Sequence, residues 1–197
     1  MFVTQYSVIV KLDSGDMETA LFKLARDVRG MVANHQPAKT VLAFIKKTLS
    51  SQAPTSQIIK ESVSGLIVSP EEAVYMLSRI ARHMQTGTKE IALGEANLEH
   101  IFPKKPSSEW TTSEIEKLEP YLWHIGNLTM LGKRLNTSAA SRGYKTKSAE
   151  YKKSELVIAQ DLAKKFSKWD TSSVVERAQS MTNAVTEIWD FDNPSRV

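Results

Sequence analysis

Apolar residues recur at helical spacing through much of the first 84 residues of the chain. A stripe of them behind Asp16 predicts a helix that this residue caps and that runs to about Asn34. Pro37 predicts the first position of a second helix. The clearest signal for the start of a helix is Ser-Pro-Glu-Glu at residues 69–72. It combines a capping serine, a proline at the first helical position and a glutamate at the third. Residues 50–56, SSQAPTS, are predicted to form a loop.

The pattern changes after Gly87, where short apolar runs replace the long helical stripes. Residues 89–93, KEIAL, and residues 96–102, ANLEHIF, are typical of strands, and so is the run NLTML at 127–131. The last two of these runs can pair with each other. We therefore expect an α+β fold that is mostly helical, with a small two-stranded antiparallel sheet embedded in flanking helices.

Helical segments are also predicted in the second half of the chain. They are a short helix after Thr111 or Thr112, several pieces from about Leu135, and a last helix capped by Thr171 or Ser172. The change of pattern near Gly87 divides the chain into a helical lead-in region, residues 1–88, and a core with C-terminal helices, residues 89–197. No long linker separates them, so we expect the two parts to pack together.

Composition narrows the class of protein. The chain has 197 residues, of which 41% are hydrophobic and 24% charged, as is usual for a globular protein. Cysteine is absent, which excludes a thiolate zinc site and a cysteine nucleophile and fits a reducing cytoplasm. No stretch approaches the roughly 20 apolar residues that span a bilayer, so we expect a cytoplasmic protein that does not contact membranes.

Positive charge is concentrated in one part of the chain. Residues 133–168 hold ten lysines and arginines and three acidic residues, a net charge of +7, whereas the whole chain carries +4. Such a local excess indicates contact with a polyanion. The alternative is a solvated helix face rich in lysine, and charge alone favours that alternative.

Candidate chemistry is carried by Glu99-His100, Asn127 and Asn136. Hydrolysis of a phosphodiester needs a base that takes a proton from water, and a histidine does this near neutral pH. A hard divalent cation bound to the phosphate also accelerates the hydrolysis. Such a cation prefers carboxylate and amide oxygens as ligands. Neighbours in a strand point to opposite faces, so Glu99 and His100 reach one phosphate only if the strand twists or ends, which Pro103 favours. Asn127 could hydrogen-bond the loop after His100 and fix the orientation of the imidazole.

The segments NLEHIFP and WHIGNLTML, followed by Asn136, resemble the HNH nuclease motif. More narrowly, they resemble the DUF1524 family, the nuclease half of GmrSD-type modification-dependent restriction systems. Further matches to that family lie C-terminal to the motif. They are Tyr144, Lys147, Tyr151, Ser154, Trp169, Arg177 and Trp189. The resemblance covers roughly residues 73–189 and implies a ββα-metal core.

The resemblance implies an endonuclease that cleaves DNA with Mg²⁺ or Mn²⁺. Position by position, His100 resembles the general base, and Asn127 resembles the asparagine that braces the catalytic loop. Glu99 resembles the acidic metal ligand and Asn136 the last metal ligand. Asn136 could also cap a helix, and this role is compatible with binding a metal.

Four cations are candidates for contact with DNA. Lys104 and Lys105 directly follow the HxxP segment and are predicted to touch phosphate. Lys147 is equally well interpreted as a phosphate contact or a solvated lysine. Arg177 is either a DNA contact or part of a salt bridge within the last helices. RNA stays open as a substrate, because metal-assisted hydrolysis at phosphate does not read the 2′-hydroxyl.

The resembling systems also contain an NTP-using, DNA-recognising domain or subunit of DUF262-like type. This chain has no Walker-type loop, so we expect NTP use and the recognition of modified bases to reside elsewhere. The leading hypothesis is thus the nuclease part of a restriction or phage-defence system. Two rivals are a catalytically silent DNA-binding or regulatory module, and a helical interaction protein in which the motif is accidental. A metal-dependent cleavage assay separates the nuclease from the silent module, and the accidental motif predicts no effect of metal on the melting temperature and no DNA binding at low salt.

Overall fold

The structure, a computed structural model, describes residues 3–85 and 96–189 of the chain. Within these residues the fold is α+β and mostly helical, with a two-stranded antiparallel sheet, as predicted. The predicted strand at 89–93, the helix end at Gly87 and the boundary between residues 88 and 89 lie outside the described residues.

The described residues form two units. One contains residues 3–59 together with Trp189, and the other contains the described part of residues 60–188. The second unit holds both strands and the predicted chemistry. The assignment of residues 1–88 and 89–197 to two regions stays a prediction, and the residues from 60 to 85 belong to the same unit as the strands.

The first unit is helical in its described part. A π-helix, Thr4–Ile9, precedes α1 (Ser14–Ala33) and α2 (Ala38–Gln52), and α1 and α2 pack on each other. Asp13 caps α1, since its carboxylate accepts a hydrogen bond from the Gly15 N–H at 2.6 Å. The prediction placed this cap at Asp16, three residues too late. Pro37 is the residue just before α2 rather than its first helical residue.

A third helix, α3 (Ser56–Ser64), follows in the sequence. The predicted loop at 50–56 is shorter than expected, because α2 continues to Gln52 and α3 begins at Ser56. The polar residues of this stretch form the ends of two helices, where serine and threonine oxygens hydrogen-bond backbone groups. One such bond joins the Thr55 hydroxyl to the Ile58 N–H at 3.3 Å.

Two helices of the second unit begin at capping boxes. α4 (Pro70–Met84) has the predicted box, in which the Ser69 hydroxyl accepts from the Glu72 N–H and the Glu72 carboxylate accepts from the Ser69 N–H. α5 (Thr112–Leu118) has a second box, built from Thr111 and Glu114. Each box satisfies two backbone donors that the first helical turn leaves unpaired, which explains why both starts could be predicted.

The sheet pairs β1 (Ala96–His100) with β2 (Leu128–Gly132), as predicted. Ala96 lies opposite Gly132 and His100 lies opposite Leu128, so the C-terminal end of β1 meets the N-terminal end of β2. The first four residues of β2 are buried. α4 packs against β2, and helices that follow β2 in the sequence also pack on the sheet. Both strands are therefore part of a packed core.

The remaining helices follow β2 in order. They are α6 (Lys133–Ala139), α7 (Tyr144–Tyr151), α8 (Val157–Lys165) and α9 (Thr171–Trp189). β1, β2 and α6 give the predicted ββα order, and α6 packs on both strands. Asp170 caps α9 through a 2.9 Å hydrogen bond from the Ser173 N–H, one residue before the predicted Thr171 or Ser172. Among the described helices, none combines the length and apolar character required to cross a lipid bilayer.

Candidate active site

A cleft of about 600 Å³ opens beside the end of β1. Five of the eight predicted site residues line it. They are Glu99, His100, Lys104, Lys105 and Asn136. The other three, Asn127, Lys147 and Arg177, lie in the interior behind it. The ββα arrangement therefore brings the candidate base and both candidate metal ligands to one cavity, although 35 residues separate His100 from Asn136 in the sequence.

His100 stands at the end of β1 with its imidazole against an aromatic neighbour. The ring meets the Trp123 indole edge-on, with 4.7 Å between the ring centroids and 82° between the planes. Its Nε2 atom is buried and has no hydrogen-bond partner among the described residues. Burial, with the nearby charges of Lys104 and Lys147, lowers the pKa of His100 to about 4. The imidazole is therefore neutral at pH 7, with a nitrogen free to interact with a ligand.

Glu99 is anchored from inside the protein. Its Oε1 atom accepts hydrogen bonds from the Lys147 ammonium at 2.7 Å and from the Tyr151 hydroxyl at 2.9 Å. The Lys147 side chain is fully buried, and its ammonium also donates to the backbone carbonyl of His100 at 2.6 Å. One lysine therefore fixes both the carboxylate and the backbone of the neighbouring histidine.

Burial controls the protonation of this group of side chains. Desolvation raises the pKa of Glu99, and the attraction of Lys147 offsets this only in part. Desolvation also lowers the pKa of Lys147 against the opposing effect of Glu99. The hydroxyl of Tyr151 stays protonated, because burial raises its pKa well above the ordinary value. It can therefore serve as a permanent donor to Glu99.

Asn127 holds the loop that follows His100. The Asn127 Oδ1 atom accepts from the Phe102 N–H at 2.8 Å, and its Nδ2 donates to the Phe102 carbonyl at 3.1 Å. The Asn127 backbone carbonyl accepts from the Ile101 N–H at 2.9 Å. These bonds confirm the predicted contact between Asn127 and the loop. Asn127 is fully buried and does not line the cleft, so it acts as a positioning residue.

Two residues from the C-terminal part of the chain, Trp169 before α9 and Arg177 within it, support Asn127 in turn. The Trp169 indole N–H donates to Asn127 Oδ1 at 3.1 Å. The Arg177 guanidinium donates through Nη1 to the carbonyls of Gly126 and Leu128, at 2.8 and 2.6 Å, on either side of Asn127. Burial lowers the pKa of Arg177 to about 10, so it keeps its charge at neutral pH. The turn into β2 is thus held by buried donors that the sequence places more than 40 residues away.

Asn136 lies on α6 beside β1. Its Nδ2 donates to the Leu98 carbonyl at 3.2 Å. Because only the amide nitrogen can donate to a carbonyl, this bond fixes which way the amide faces. No described residue hydrogen-bonds its Oδ1. Asn136 sits in the middle of α6 rather than at its cap, which is Gly132.

Lys104 and Lys105 supply positive charge at the mouth of the cleft. Both are exposed. The Lys104 ammonium lies 4.4 Å from the centre of the Trp123 ring, a cation–π distance. Neither lysine forms an ion pair with a described acidic residue, so both are free to meet a phosphate.

The predicted DNA contacts at Lys147 and Arg177 need correction. The Lys147 residue is 0% exposed and Arg177 is 3% exposed, so neither side chain reaches a surface where DNA could bind. Both alternatives considered from the sequence also fail. Lys147 is not solvated, and Arg177 hydrogen-bonds backbone carbonyls rather than an acidic side chain. Lys147 holds the His100 backbone from inside, and Arg177 holds the turn that carries Asn127.

Sequence reasoning assigned no role to Trp123, although it lies in the matched WHIGNLTML segment. A signal for Trp123 was available, since it directly precedes the turn that carries Asn127. Its contact with His100 depends on the pairing of β1 with β2, which the residue type alone does not reveal.

The described residues contain no group of three or more histidine, aspartate or glutamate side chains that could hold a metal ion. The two ligands predicted from the sequence, Glu99 and Asn136, would leave the rest of a cation's shell to water, as Mg²⁺ commonly accepts. Both side chains offer oxygen, the donor atom that such an ion prefers.

Comparison with known proteins gives one family. Residues 54–184, about two thirds of the chain, match the family described as GmrSD restriction endonucleases, C-terminal domain. The matched region includes every residue that lines the cleft. No curated protein matches the chain.

Proposed function

Because the chain belongs to the family of GmrSD restriction endonuclease C-terminal domains, we propose that it is an HNH-type, metal-dependent endonuclease that hydrolyses DNA with His100 as its general base. One observation carries the proposal. His100, whose imidazole is neutral and whose buried Nε2 has no partner among the described residues, lines the same cleft as a carboxylate and an amide suited to a hard cation. A histidine that serves only the core normally has its ring nitrogens satisfied, as those of His124 are.

The donor set fits a divalent cation. Glu99 would bind through Oε2, because Lys147 and Tyr151 engage Oε1, and Asn136 would bind through the amide oxygen that its bond to Leu98 leaves unused. Mg²⁺ or Mn²⁺ suits such oxygen ligands. A cation held there would act as a Lewis acid on the scissile phosphate. Lys147 and Tyr151 would serve as outer partners that orient the carboxylate.

The chain's own residues would supply the base and part of the charge stabilisation, while the P–O bond to the leaving oxygen breaks and that oxygen takes a proton from solvent. His100 takes a proton from the attacking water, which its neutral state at pH 7 permits. Lys104 and Lys105 bind the phosphate and stabilise the negative charge that develops on its oxygens. Asn127 and Lys147 hold the backbone of residues 100–102, which keeps the imidazole in place through the reaction.

The family also suggests a biological context. We propose that the chain is the nuclease part of a restriction or phage-defence system in the cytoplasm. Use of NTP and recognition of modified DNA would belong to a DUF262-like domain or subunit, since this sequence has no Walker-type loop. Binding of a nucleotide to this chain alone would contradict that assignment.

A plasmid nicking assay tests the proposed chemistry. Wild-type protein is compared with His100→Ala in Mg²⁺, in Mn²⁺ and in EDTA. We expect cleavage with either metal, none in EDTA, and a loss of about 10²- to 10⁴-fold in His100→Ala, because general-base catalysis contributes roughly that factor. DNA affinity should change little, since Lys104 and Lys105 remain.

His83→Ala is the matched control. His83 is also a partly buried histidine, but its Nε2 bonds Glu187 and it lies on α4 outside the cleft, so His83→Ala should leave the rate unchanged. If His100→Ala cuts at the wild-type rate, the general-base role is wrong. DNA binding without cleavage in any metal would instead identify a catalytically silent binding module.

A further inference from the structure

One wall of the cleft is apolar. Trp123 stands beside His100 on this wall, together with aliphatic and proline side chains from α4, β1 and the loop after β1. They are Pro70, Val74, Leu98 and Pro103. The cations Lys104 and Lys105 line the same cavity. The cleft thus combines aromatic and apolar side chains with two cations, and the His100 imidazole contacts the aromatic one.

Binding of a phosphate does not explain the apolar wall. Contacts to a nucleic-acid backbone come from cations, hydroxyls, amides and backbone N–H groups, and they need no aromatic surface. Aromatic rings in nucleic-acid sites instead stack with bases that have left the double helix. The lining of the cleft therefore offers chemistry for more than a backbone contact.

Trp123 differs from the other three tryptophans of the chain. Trp110, Trp169 and Trp189 are 5%, 3% and 2% exposed, whereas Trp123 is half-buried at the wall of the cleft. Buried tryptophans serve packing and internal hydrogen bonds. A half-buried indole in a cleft keeps part of its ring available to a ligand.

The Lys104 side chain lies over the face of the Trp123 indole and can move away from it. The Lys104 ammonium covers it at 4.4 Å, and Lys104 is exposed on a flexible stem with no ion-pair partner among the described residues. A phosphate in the cleft attracts this ammonium more strongly than the ring does, because a full negative charge outweighs a ring quadrupole. Movement of Lys104 onto the phosphate would uncover the indole face.

We propose that the apolar wall, with Trp123 as its stacking surface, binds an unstacked nucleobase next to the scissile phosphate. The cleft should therefore bind DNA more tightly when the nucleotide at the cleavage position is unpaired, as in a single strand, than when that base stays stacked in a duplex. This inference rests on the proposed nuclease function, because it takes the phosphate beside His100 as the scissile one. It defines the class of substrate that the same site accepts.

Tryptophan fluorescence can test the inference without turnover. The protein is His100→Ala in EDTA, titrated with a short single-stranded DNA oligonucleotide and with its duplex. Because the other tryptophans are buried, quenching by bound DNA reports on Trp123. We expect the single strand to quench the emission and to bind more tightly than the duplex.

Two further substitutions in the His100→Ala protein show whether the quenching comes from Trp123. Trp123→Leu keeps an apolar side chain without the aromatic face, and we expect it to abolish the quenching and to weaken single-strand binding about 5- to 150-fold, the range for loss of one stacked base. Trp123→Phe should restore part of the affinity. Ile67→Ala is the control, since Ile67 is 48% exposed but does not line the cleft, and it should bind like the parent.

An arm with altered DNA keeps the test independent of folding in the variants. A series of oligonucleotides each carries one abasic residue at a different position, which removes a base but keeps every phosphate. We expect one of these oligonucleotides to bind more weakly than the rest to protein in which Trp123 is intact. The inference is overturned if no position matters, if the duplex quenches as strongly as the single strand, or if Trp123→Leu retains the quenching. These results are separate from cleavage. A protein that never cuts but shows the quenching contradicts the proposed function alone, and one that cuts duplex DNA without any effect of Trp123→Leu contradicts the inference alone.

Discussion

The indole N–H of Trp169 donates to the side-chain oxygen of Asn127 across 3.1 Å, although 42 positions separate the two residues in the sequence. The same oxygen accepts the Phe102 N–H, so one amide joins the C-terminal part of the chain to the loop after the candidate base. All of these groups are buried, where an unpaired donor is costly. The position of His100 therefore depends on packing far from the cleft.

Asn127→Ala should strongly destabilise the protein. The substitution leaves the Phe102 N–H and the Trp169 N–H buried without an acceptor, and each such group costs about 1–3 kcal/mol. We expect the free energy of unfolding, measured in urea, to fall by about 3 kcal/mol or more. Cleavage should fall as well at temperatures where the variant is folded. Asn97→Ala, at an exposed position on β1, is the control and should lose less than about 0.5 kcal/mol.

The buried pair of Lys147 and Glu99 gives a second prediction. Lys147→Met leaves the Glu99 carboxylate buried without its cation, which should lower the free energy of unfolding by about 3–5 kcal/mol. Adding Glu99→Gln removes the uncompensated charge and keeps an acceptor for the Tyr151 hydroxyl. The double variant should therefore be more stable than Lys147→Met alone.

The exposed pair of Lys153 and Glu150 is the matched control for that experiment. Its N–O distance is also 2.7 Å, but the Lys153 side chain is 61% exposed. Lys153→Met should change stability by less than about 1 kcal/mol, because water screens the pair. Equal losses at Lys147 and Lys153 would show that burial does not govern the energetics of the inner pair.

Local signals allowed much of the fold to be predicted. The helix starts at Ser69 and Thr111 rest on side chains that cap backbone donors a few residues away, so the sequence alone carries the information. The pairing of β1 with β2 followed from two short apolar runs and the motif between them. α3 was missed because it is only nine residues long and follows a stretch rich in serine, threonine and proline.

The inner supports of the site could not be predicted in the same way. Lysine and arginine are usually exposed, so the default interpretation placed Lys147 and Arg177 on the surface. Their burial depends on partners 48 and about 50 positions away, Glu99 and the carbonyls beside Asn127. Trp123 had no role for a similar reason, since its contact with His100 joins residues 23 positions apart that the pairing of β1 with β2 brings together. Composition reveals the charge of a side chain but not its distant partner.

Gly126→Ala should damage the turn that carries Asn127. A Cβ atom at Gly126 would lie 2.1 Å from the backbone oxygen of Val174, so α9 must shift to admit it. We expect a loss of about 3 kcal/mol or more in the free energy of unfolding. Gly132→Ala is the control, because nothing lies within 4 Å of a Cβ atom there. A Gly126→Ala protein as stable as Gly132→Ala would contradict the close approach of α9 to this turn.

His124, in the same turn, has both ring nitrogens in use. Nδ1 accepts the Gly126 N–H at 3.1 Å, so the ring proton is on Nε2, which donates to the Ser64 carbonyl at 3.0 Å. Protonation of His124 at Nδ1 would replace this acceptor with a second N–H donor, which would repel the Gly126 N–H. Burial lowers the pKa of His124, and the bond to Ser64 opposes this only in part. The folded protein therefore holds this histidine neutral.

Stability should consequently decline on acidification, and His124→Gln isolates the contribution of this residue. The folded pKa of His124 lies below its unfolded value of about 6.5, so its stabilisation is complete above that pH and is lost as the pH falls towards the folded pKa. Glutamine offers a donor and an acceptor but does not titrate. Urea unfolding from about pH 8 to about pH 5 should show wild-type protein losing stability relative to His124→Gln below about pH 6.5, by at most about 1.4 kcal/mol per pH unit. The lowered pKa of His100 affects both proteins and cancels in this difference. A difference that stays constant over the whole range would mean that His124 titrates alike in the folded and unfolded chains.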